Sequence, residues 1–311
     1  MKRFLSILFA ILFLLSFSAC GKAPEEPLPE PSAVSVTDAL GNTVTLAPGA
    51  RVVSCYGSFA DCWLLSGGSL VGVTEDAVEE GVVAAESVTV VGSVKNIDLE
   101  QILGLNPDYV LLSADLAAHL KLREALVAAR VPHGYFRVDT FGDYKAMMEQ
   151  FCAVNGRPDR YRENVLAVEE KIRGILEKIP EPDGKRVLLV RVYSTGMKAK
   201  GDDNLAGQIL KEFGMIHLTE ENPSLLEDLS VEKIVQADPD YIIALAMGEQ
   251  EAADEFLRQN VENNPAWSGL TAVKEGRYAM LPKDLFHYKP NERWAESYEY
   301  LAKIIFPELF G

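Results

Sequence analysis

Three features of this 311-residue chain predict an α/β protein built from two similar lobes joined by a single long helix. The first is an internal repeat. Asp98-Leu99-Glu100-Gln101-Ile102-Leu103-Gly104-Leu105-Asn106-Pro107-Asp108-Tyr109-Val110-Leu111 returns as Ser230-Val231-Glu232-Lys233-Ile234-Val235-Gln236-Ala237-Asp238-Pro239-Asp240-Tyr241-Ile242-Ile243, with matching polarity at nearly every position. Each copy reads as a helix cap, a short helix, a Pro-Asp turn and a strand apolar on both faces, which is one unit of a parallel sheet. The second feature is the alternation of short apolar strands with helical spacing on either side of the repeat. The third is the stretch 158–179, where Tyr161, Val165, Val168, Ile172, Ile175 and Ile179 fall at helical spacing without a break. Two similar lobes leave a cleft between them, a natural place for a ligand.

In chain order, Lys2 and Arg3 precede an apolar run from Phe4 to Phe17 and the small pair Ser18-Ala19. That run is shorter than the roughly 20 residues a membrane-spanning helix needs, so residues 1–19 are expected to be a signal peptide and the body to be extracytoplasmic. Residues 20–33 interleave Pro24, Pro27, Pro29 and Pro31 with Glu25, Glu26 and Glu30, a composition that cannot build a core and suits an extended tether. The first lobe is expected over residues 34–156. It opens with a hairpin of Val34–Thr37 and Thr43–Leu46 about a turn at 38–42, followed by a strand at 51–55 and a helix through Trp63 stopped by Gly67-Gly68. A strand at Leu70–Val73, the first copy of the repeat, a helix near 116–129, a strand near 135–138 and a helix at 143–154 complete it. The connecting helix takes residues 157–180 and is ended by Pro180 and Pro182. Residues 181–311 form the second lobe, from the strongly apolar strand Arg186–Tyr193 to a closing helix at 292–305.

Composition excludes some functions. With 30 basic against 46 acidic side chains the net charge is −16, and no helix carries a concentrated basic face, so nucleic acid is not an expected partner. Of the four cysteines, modification of Cys20 would leave Cys55, Cys62 and Cys152, an odd number that implies no disulfide framework and matches no zinc spacing. The sequence holds no G-x-S-x-G elbow, no phosphate-binding G-x-x-x-x-G-K-[ST] loop, no G-x-G-x-x-G turn and no H-E-x-x-H pair, so an enzyme is not expected. His119, His133, His217 and His287 form no ligand-like pair, which makes a site for a bare transition-metal ion the weaker alternative, followed by an exported enzyme that uses the cleft.

Several stretches carry a family resemblance. They are Thr37-Asp38-Ala39-Leu40-Gly41-Asn42-Thr43-Val44-Thr45-Leu46 leading to Arg51-Val52-Val53-Ser54, the repeats holding Glu100 and Glu232, and the long helix from Pro158. The chain resembles, from its first residues to its last, the substrate-binding lipoproteins of ABC importers for iron-siderophores, haem and vitamin B12. The resemblance implies two Rossmann-like lobes, one connecting helix and a chelated metal or corrinoid held between the lobes. It also implies no intrinsic cofactor, a monomer, and a permease dimer as partner. In that family one glutamate of each lobe docks on arginine pockets of the permease, and the matching residues here are Glu100 and Glu232. Phe17-Ser18-Ala19-Cys20-Gly21 resembles a lipoprotein processing site, at which Cys20 is lipidated and anchors the body to the outer face of the cell membrane. The two glutamates also have a plainer reading, since each sits in the first turn of a helix, where a carboxylate suits the helix dipole.

Ligands of open α/β sheets collect at the carboxyl ends of the strands. The candidate ligand-binding residues are therefore Tyr56, Lys95, Ser113 and Arg137 in the first lobe and Tyr193, Lys198, Met247, His287, Tyr288 and Arg293 in the second. Together with Lys200, Lys283, Lys289 and Phe286, these set cations among flat apolar walls, which suits a bulky anionic chelate such as a ferric siderophore, with haem or a corrinoid as alternatives. Arg191, alternating with apolar neighbours inside a strong strand, is expected to be a partnered structural arginine, and Trp294 to lie in the core.

Overall fold

Both copies of the repeat are visible in the computed structural model, which describes residues 33–311. In the first, the Asp98 carboxylate accepts from the Gln101 N–H at 3.0 Å and starts the helix Leu99–Gly104. In the second, the Ser230 hydroxyl accepts from the Lys233 N–H at 3.3 Å and starts the helix Val231–Ala237. Each unit then turns through a left-handed residue, Asn106 with φ 46° or Asp238 with φ 42°, and short polar side chains tolerate that conformation best among non-glycine residues. The turns bring the Asp108 and Asp240 carboxylates to the backbone N–H groups of Arg51 and Arg186, each at 2.8 Å. In return, the Arg51 guanidinium donates to the Leu105 carbonyl at 2.9 Å, and that of Arg186 donates to the carbonyls of Ala237 at 3.0 Å and Asp238 at 2.8 Å. These bonds satisfy carbonyls orphaned at the helix ends. The structural repeat is therefore wider than the sequence phrase, because each copy includes an arginine just ahead of, or opening, the neighbouring strand.

Each repeat feeds a parallel sheet. The first lobe orders its strands Thr89–Val90, Leu70–Val73, Val52–Ser54, Tyr109–Ser113 and His133–Phe136, all parallel. The second orders Gly196–Lys200, Arg186–Tyr193, Tyr241–Ala246 and Tyr278–Leu281, with Ile216–His217 also pairing to the start of Arg186–Tyr193. Only Gly196–Lys200 is antiparallel there. The hairpin of Val34–Thr37 and Thr43–Leu46 is tied to the His133–Phe136 edge, since Asp38 accepts from the Tyr135 N–H at 3.0 Å and the Ala39 N–H donates to the Tyr135 carbonyl at 2.8 Å. An edge tied in this way is withdrawn from pairing with other chains.

Strand alternation separates the apolar residues on the two faces of each sheet. Val53, Val110, Leu112 and Tyr135 pack on the outer side of the first sheet, and Leu188, Val190, Ile242 and Ala244 on the outer side of the second. Their neighbours in sequence, Val52, Leu111 and Phe136 in one sheet and Val187, Leu189 and Ile243 in the other, join one continuous core. That core also takes in Val165, Val168 and Ile172 from the connecting helix and Trp294, Leu301 and Ile305 from the closing helix, so the two lobes share apolar packing. Trp294 is in the core, as expected, with its ring centre 6.0 Å from that of Phe141 in an edge-to-face arrangement.

Three expected elements differ in detail. The helical stretch from Pro158 ends at Leu176 rather than at Ile179, and it contains a π turn at Arg162–Leu166 between α-helical Pro158–Tyr161 and Ala167–Leu176. The π turn holds Asn164 inward, where its amide donates to the Leu65 carbonyl at 3.0 Å and its own carbonyl accepts from the Tyr144 hydroxyl at 3.1 Å. The helix expected near 116–129 is two short ones, Ala117–Leu120 and Arg123–Ala128, because His119 turns inward to bond the neighbouring strand and loop. The closing helix is Trp294–Ile305, preceded by a 3-10 turn at Asn291–Arg293. The expected signal peptide, the lipidated Cys20 and all of the tether but Ala33 lie outside the described residues.

Candidate functional site: the cleft between the lobes

Tyr56 leads the first lobe into the cleft. Its backbone is extended and the helix Gly57–Leu65 starts directly after it. The N–H of Gly57 donates to the Asp76 carboxylate at 2.6 Å, and a Cβ at this position would meet Asp76, Ala77 and Glu80 at 3.0 Å, so glycine is what lets the helix start approach that carboxylate pair. The Tyr56 ring packs edge-on to Phe59 at 5.0 Å. Burial first, and then the charges of Glu80, Asp76, Asp115 and Asp139, push the pKa of its hydroxyl far above the usual range, so it stays a hydrogen-bond donor at neutral pH.

Ser113 ends the buried strand Tyr109–Ser113. Its N–H donates to His119 Nδ1 at 2.9 Å, and His119 Nε2 lies 3.0 Å from the Val94 carbonyl. Because Nδ1 accepts, the proton is on Nε2 and the imidazole is neutral. Burial lowers the His119 pKa in the same sense.

The second lobe presents Arg191, Lys200, Leu245, Met247, Phe286, His287 and Lys289 to the same space, opposite Tyr56, Phe59, Ser113, Asp115, Leu116 and Asp139, and together with Asp203 they enclose a cleft of about 390 Å³. Two of its three cations are neutralised locally: Lys200 pairs with Asp203, and Lys289 reaches Asp139 across the lobes at 3.3 Å. Arg191 is different. The cleft's ion pairs are Lys200–Asp203 and Lys289–Asp139, Arg191 joins no ion pair among the described residues, and its buried Nε has no hydrogen-bond partner. The expectation of a partnered structural arginine is therefore corrected: strand register places Arg191 opposite Leu245 on the face that carries Leu189, which is the face open to the cleft. His287 is driven down to about 4, by burial first and then by Lys283, Arg191 and Lys289, so it is neutral at pH 7.

Of the candidates read from sequence, Tyr56, Ser113, Met247 and His287 line the cleft. The other six do not. Lys95 is exposed on the turn joining Gly92–Ser93 to Asn96–Ile97. Arg137 is held 2.5 Å from Asp115, itself a cleft residue. Tyr193 and Lys198 line a separate surface depression beside the strand turn. Tyr288 is half-buried against Lys283, whose ammonium lies 5.9 Å from the ring centre. Arg293 is paired with Asp284 at 3.0 Å and Glu296 at 2.9 Å. Strand-end position alone found the region and could not say which side chains turn inward. Phe59, Arg191 and Asp139 were not among the candidates, and the one available signal for Arg191 was its isolation in an apolar strand.

Glu100 and Glu232 are both exposed, each in the first turn of its repeat helix. The Glu232 carboxylate is held below its usual range by a backbone N–H and the Ser230 hydroxyl. Cys55, Cys62 and Cys152 are free and buried. Among the described residues no group of three or more His, Cys, Asp or Glu is arranged to hold a metal ion, and no helix is long and apolar enough to cross a membrane.

Comparison with known proteins agrees with this architecture. Similar chains include YhfQ of Bacillus subtilis, named as an ABC transporter substrate-binding lipoprotein, with 25% identity over 89% of each chain. The Fe(3+)-citrate-binding protein YfmC of the same organism is 21% identical over 80% of this chain and 78% of its own. Among solved structures, the TroA-like periplasmic binding protein FepB from Veillonella parvula superposes with a TM-score of 0.69 at 19% identity, covering 89% of this chain and 91% of that one. Residues 52–285 match the family described as Periplasmic binding protein, and the chain belongs to that family.

Proposed function

We propose that this protein captures an anionic iron(III) chelate in the cleft between its lobes and delivers it to the permease dimer of an ABC importer. The observation that carries the reading is Arg191, a cation in the cleft with a buried Nε and no partner of its own. A guanidinium left unsatisfied in a partly dry site favours an anionic ligand whose oxygens complete its bonds. The cleft volume of about 390 Å³ and its mixed lining of ion pairs and aromatic rings suit a compact, hydrophilic chelate such as an iron hydroxycarboxylate better than haem or a corrinoid. The similarity to YfmC, an Fe(3+)-citrate-binding protein, supports that choice. Tyr56, Ser113, Met247 and His287 are the other side chains proposed to touch the ligand.

The protein acts in this reading as a carrier and not as an enzyme. It works as a monomer on the outer face of the membrane, anchored through a lipid on Cys20. Glu100 and Glu232 dock one on each permease subunit. Titration of the purified protein with ferric citrate, a ferric catecholate, haemin and cyanocobalamin, followed by visible absorbance and tryptophan fluorescence, tests the ligand. Ferric citrate is expected to bind, and Arg191→Gln is expected to weaken it about 10- to 150-fold, the worth of one charge-assisted hydrogen-bonding group. Failure of all four chelates, or unchanged affinity in Arg191→Gln, would overturn the reading.

A further inference from the structure

The stretch 286–291 starts in the second lobe, lines the cleft through Phe286, His287 and Lys289, and ends on the first lobe. Its last residue, Asn291, is 2% exposed and left-handed, with φ 50°. The side chain makes three hydrogen bonds to one helix. Nδ2 donates to the Ser58 carbonyl at 2.9 Å and to the Asp61 carboxylate at 2.7 Å, while Oδ1 accepts from the Cys62 thiol at 3.1 Å. Ser58, Asp61 and Cys62 lie on one face of Gly57–Leu65, the helix that places Tyr56 and Phe59 in the cleft. The Lys289 N–H adds a bond to the Ser58 hydroxyl at 3.3 Å.

We infer that Asn291 is a positioning residue that bolts the cleft-lining stretch of the second lobe to the first-lobe helix and so fixes the distance between the two cleft walls. This side chain adds a buried link between the lobes to the helical stretch from Pro158 to Leu176, the shared core and the Lys289–Asp139 pair. Neither side-chain amide function is replaceable: aspartate cannot donate to Asp61 when ionised, and an apolar side chain would leave Asp61 and the Ser58 carbonyl unpaired in a buried place. Affinity enters because the inference rests on the cleft being the ligand site, whereas the bolt itself can be tested without ligand.

Asn291→Gly removes the bonds and keeps the left-handed backbone free of strain. In hydrogen exchange of the ligand-free protein, the amides of Gly57–Leu65 should exchange at least about tenfold faster than in the wild type, and ferric citrate should bind about tenfold more weakly. Asn291→Asp is the second variant. It places a carboxyl beside Asp61, with Cys62, Tyr144, Cys152, Lys289, Glu292 and Arg293 as the other titratable groups around it. Its exchange should approach the wild-type rate at pH 4, where the new carboxyl can donate, and rise toward the Asn291→Gly rate by pH 7. Wild-type exchange in Asn291→Gly, no such pH dependence in Asn291→Asp, or faster exchange with unchanged affinity would each overturn the inference. If the wild type itself ignores ferric citrate, the proposed ligand is contradicted, and the two exchange comparisons still decide the role of Asn291.

Discussion

Replacing Glu80 by Gln should stabilise this protein increasingly as pH rises. Glu80 follows the short helix Glu75–Glu79, and its carboxyl faces Gly57 alongside that of Asp76. Burial first, and then Asp76, Asp61 and Glu79, raise its pKa to about 8 from the ordinary value of 4.5. Below about pH 4.5 the group is protonated in the folded and unfolded chains alike, and it makes no difference to stability. As pH climbs, the unfolded chain loses this proton first while the folded chain keeps it, so the folded state binds more protons and stability falls until about pH 8, beyond which the loss is complete. Taken at face value the difference amounts to about 5 kcal/mol, and because the side chain keeps some contact with solvent we expect about 2 to 3 kcal/mol. Gln cannot ionise and can donate its amide to Asp76. Urea unfolding at pH 4.5, 6, 7 and 8.5 measures the gap between variant and wild type, which should be near zero at the lowest pH and reach its full value at the highest. A gap that is constant with pH, or that closes as pH rises, would refute the assignment of Glu80 as a carboxyl kept neutral by Asp76 and burial.

Two further outcomes follow from the same structure. Changing Glu100 and Glu232 together to Ala should leave chelate affinity unchanged in titrations of the purified protein while abolishing uptake by cells, since both side chains are exposed and neither lines the cleft; loss of affinity would assign them to the ligand site instead. Ligand should draw the lobes together by only a few degrees, because they share one continuous core and are linked by both a helix and Asn291, so small-angle scattering should show no clear drop in radius of gyration on binding.

The two halves of this molecule were legible in the sequence because the signals that define them are local. Asp98 and Ser230 cap helices through bonds to residues three positions on, and Tyr109–Leu112 and Tyr241–Ala246 are apolar because they are covered on both sides. Such patterns are written in neighbouring residues, and they were enough to place the sheets, the connecting helix and the cleft at the strand ends. The cleft's membership was decided elsewhere. Arg191 faces the cleft only because Arg186–Tyr193 pairs in one register with Tyr241–Ala246, and slipping that register by one residue would turn it to the opposite face. Lys198 lies opposite Arg191 in the antiparallel pair, yet it is exposed and lines a separate surface depression. Asn291 meets its partners across some 230 positions of chain, and Lys289 meets Asp139 across 150. Contacts of that span depend on how two finished lobes come to rest against each other, which local periodicity does not encode and only the packed tertiary structure decides.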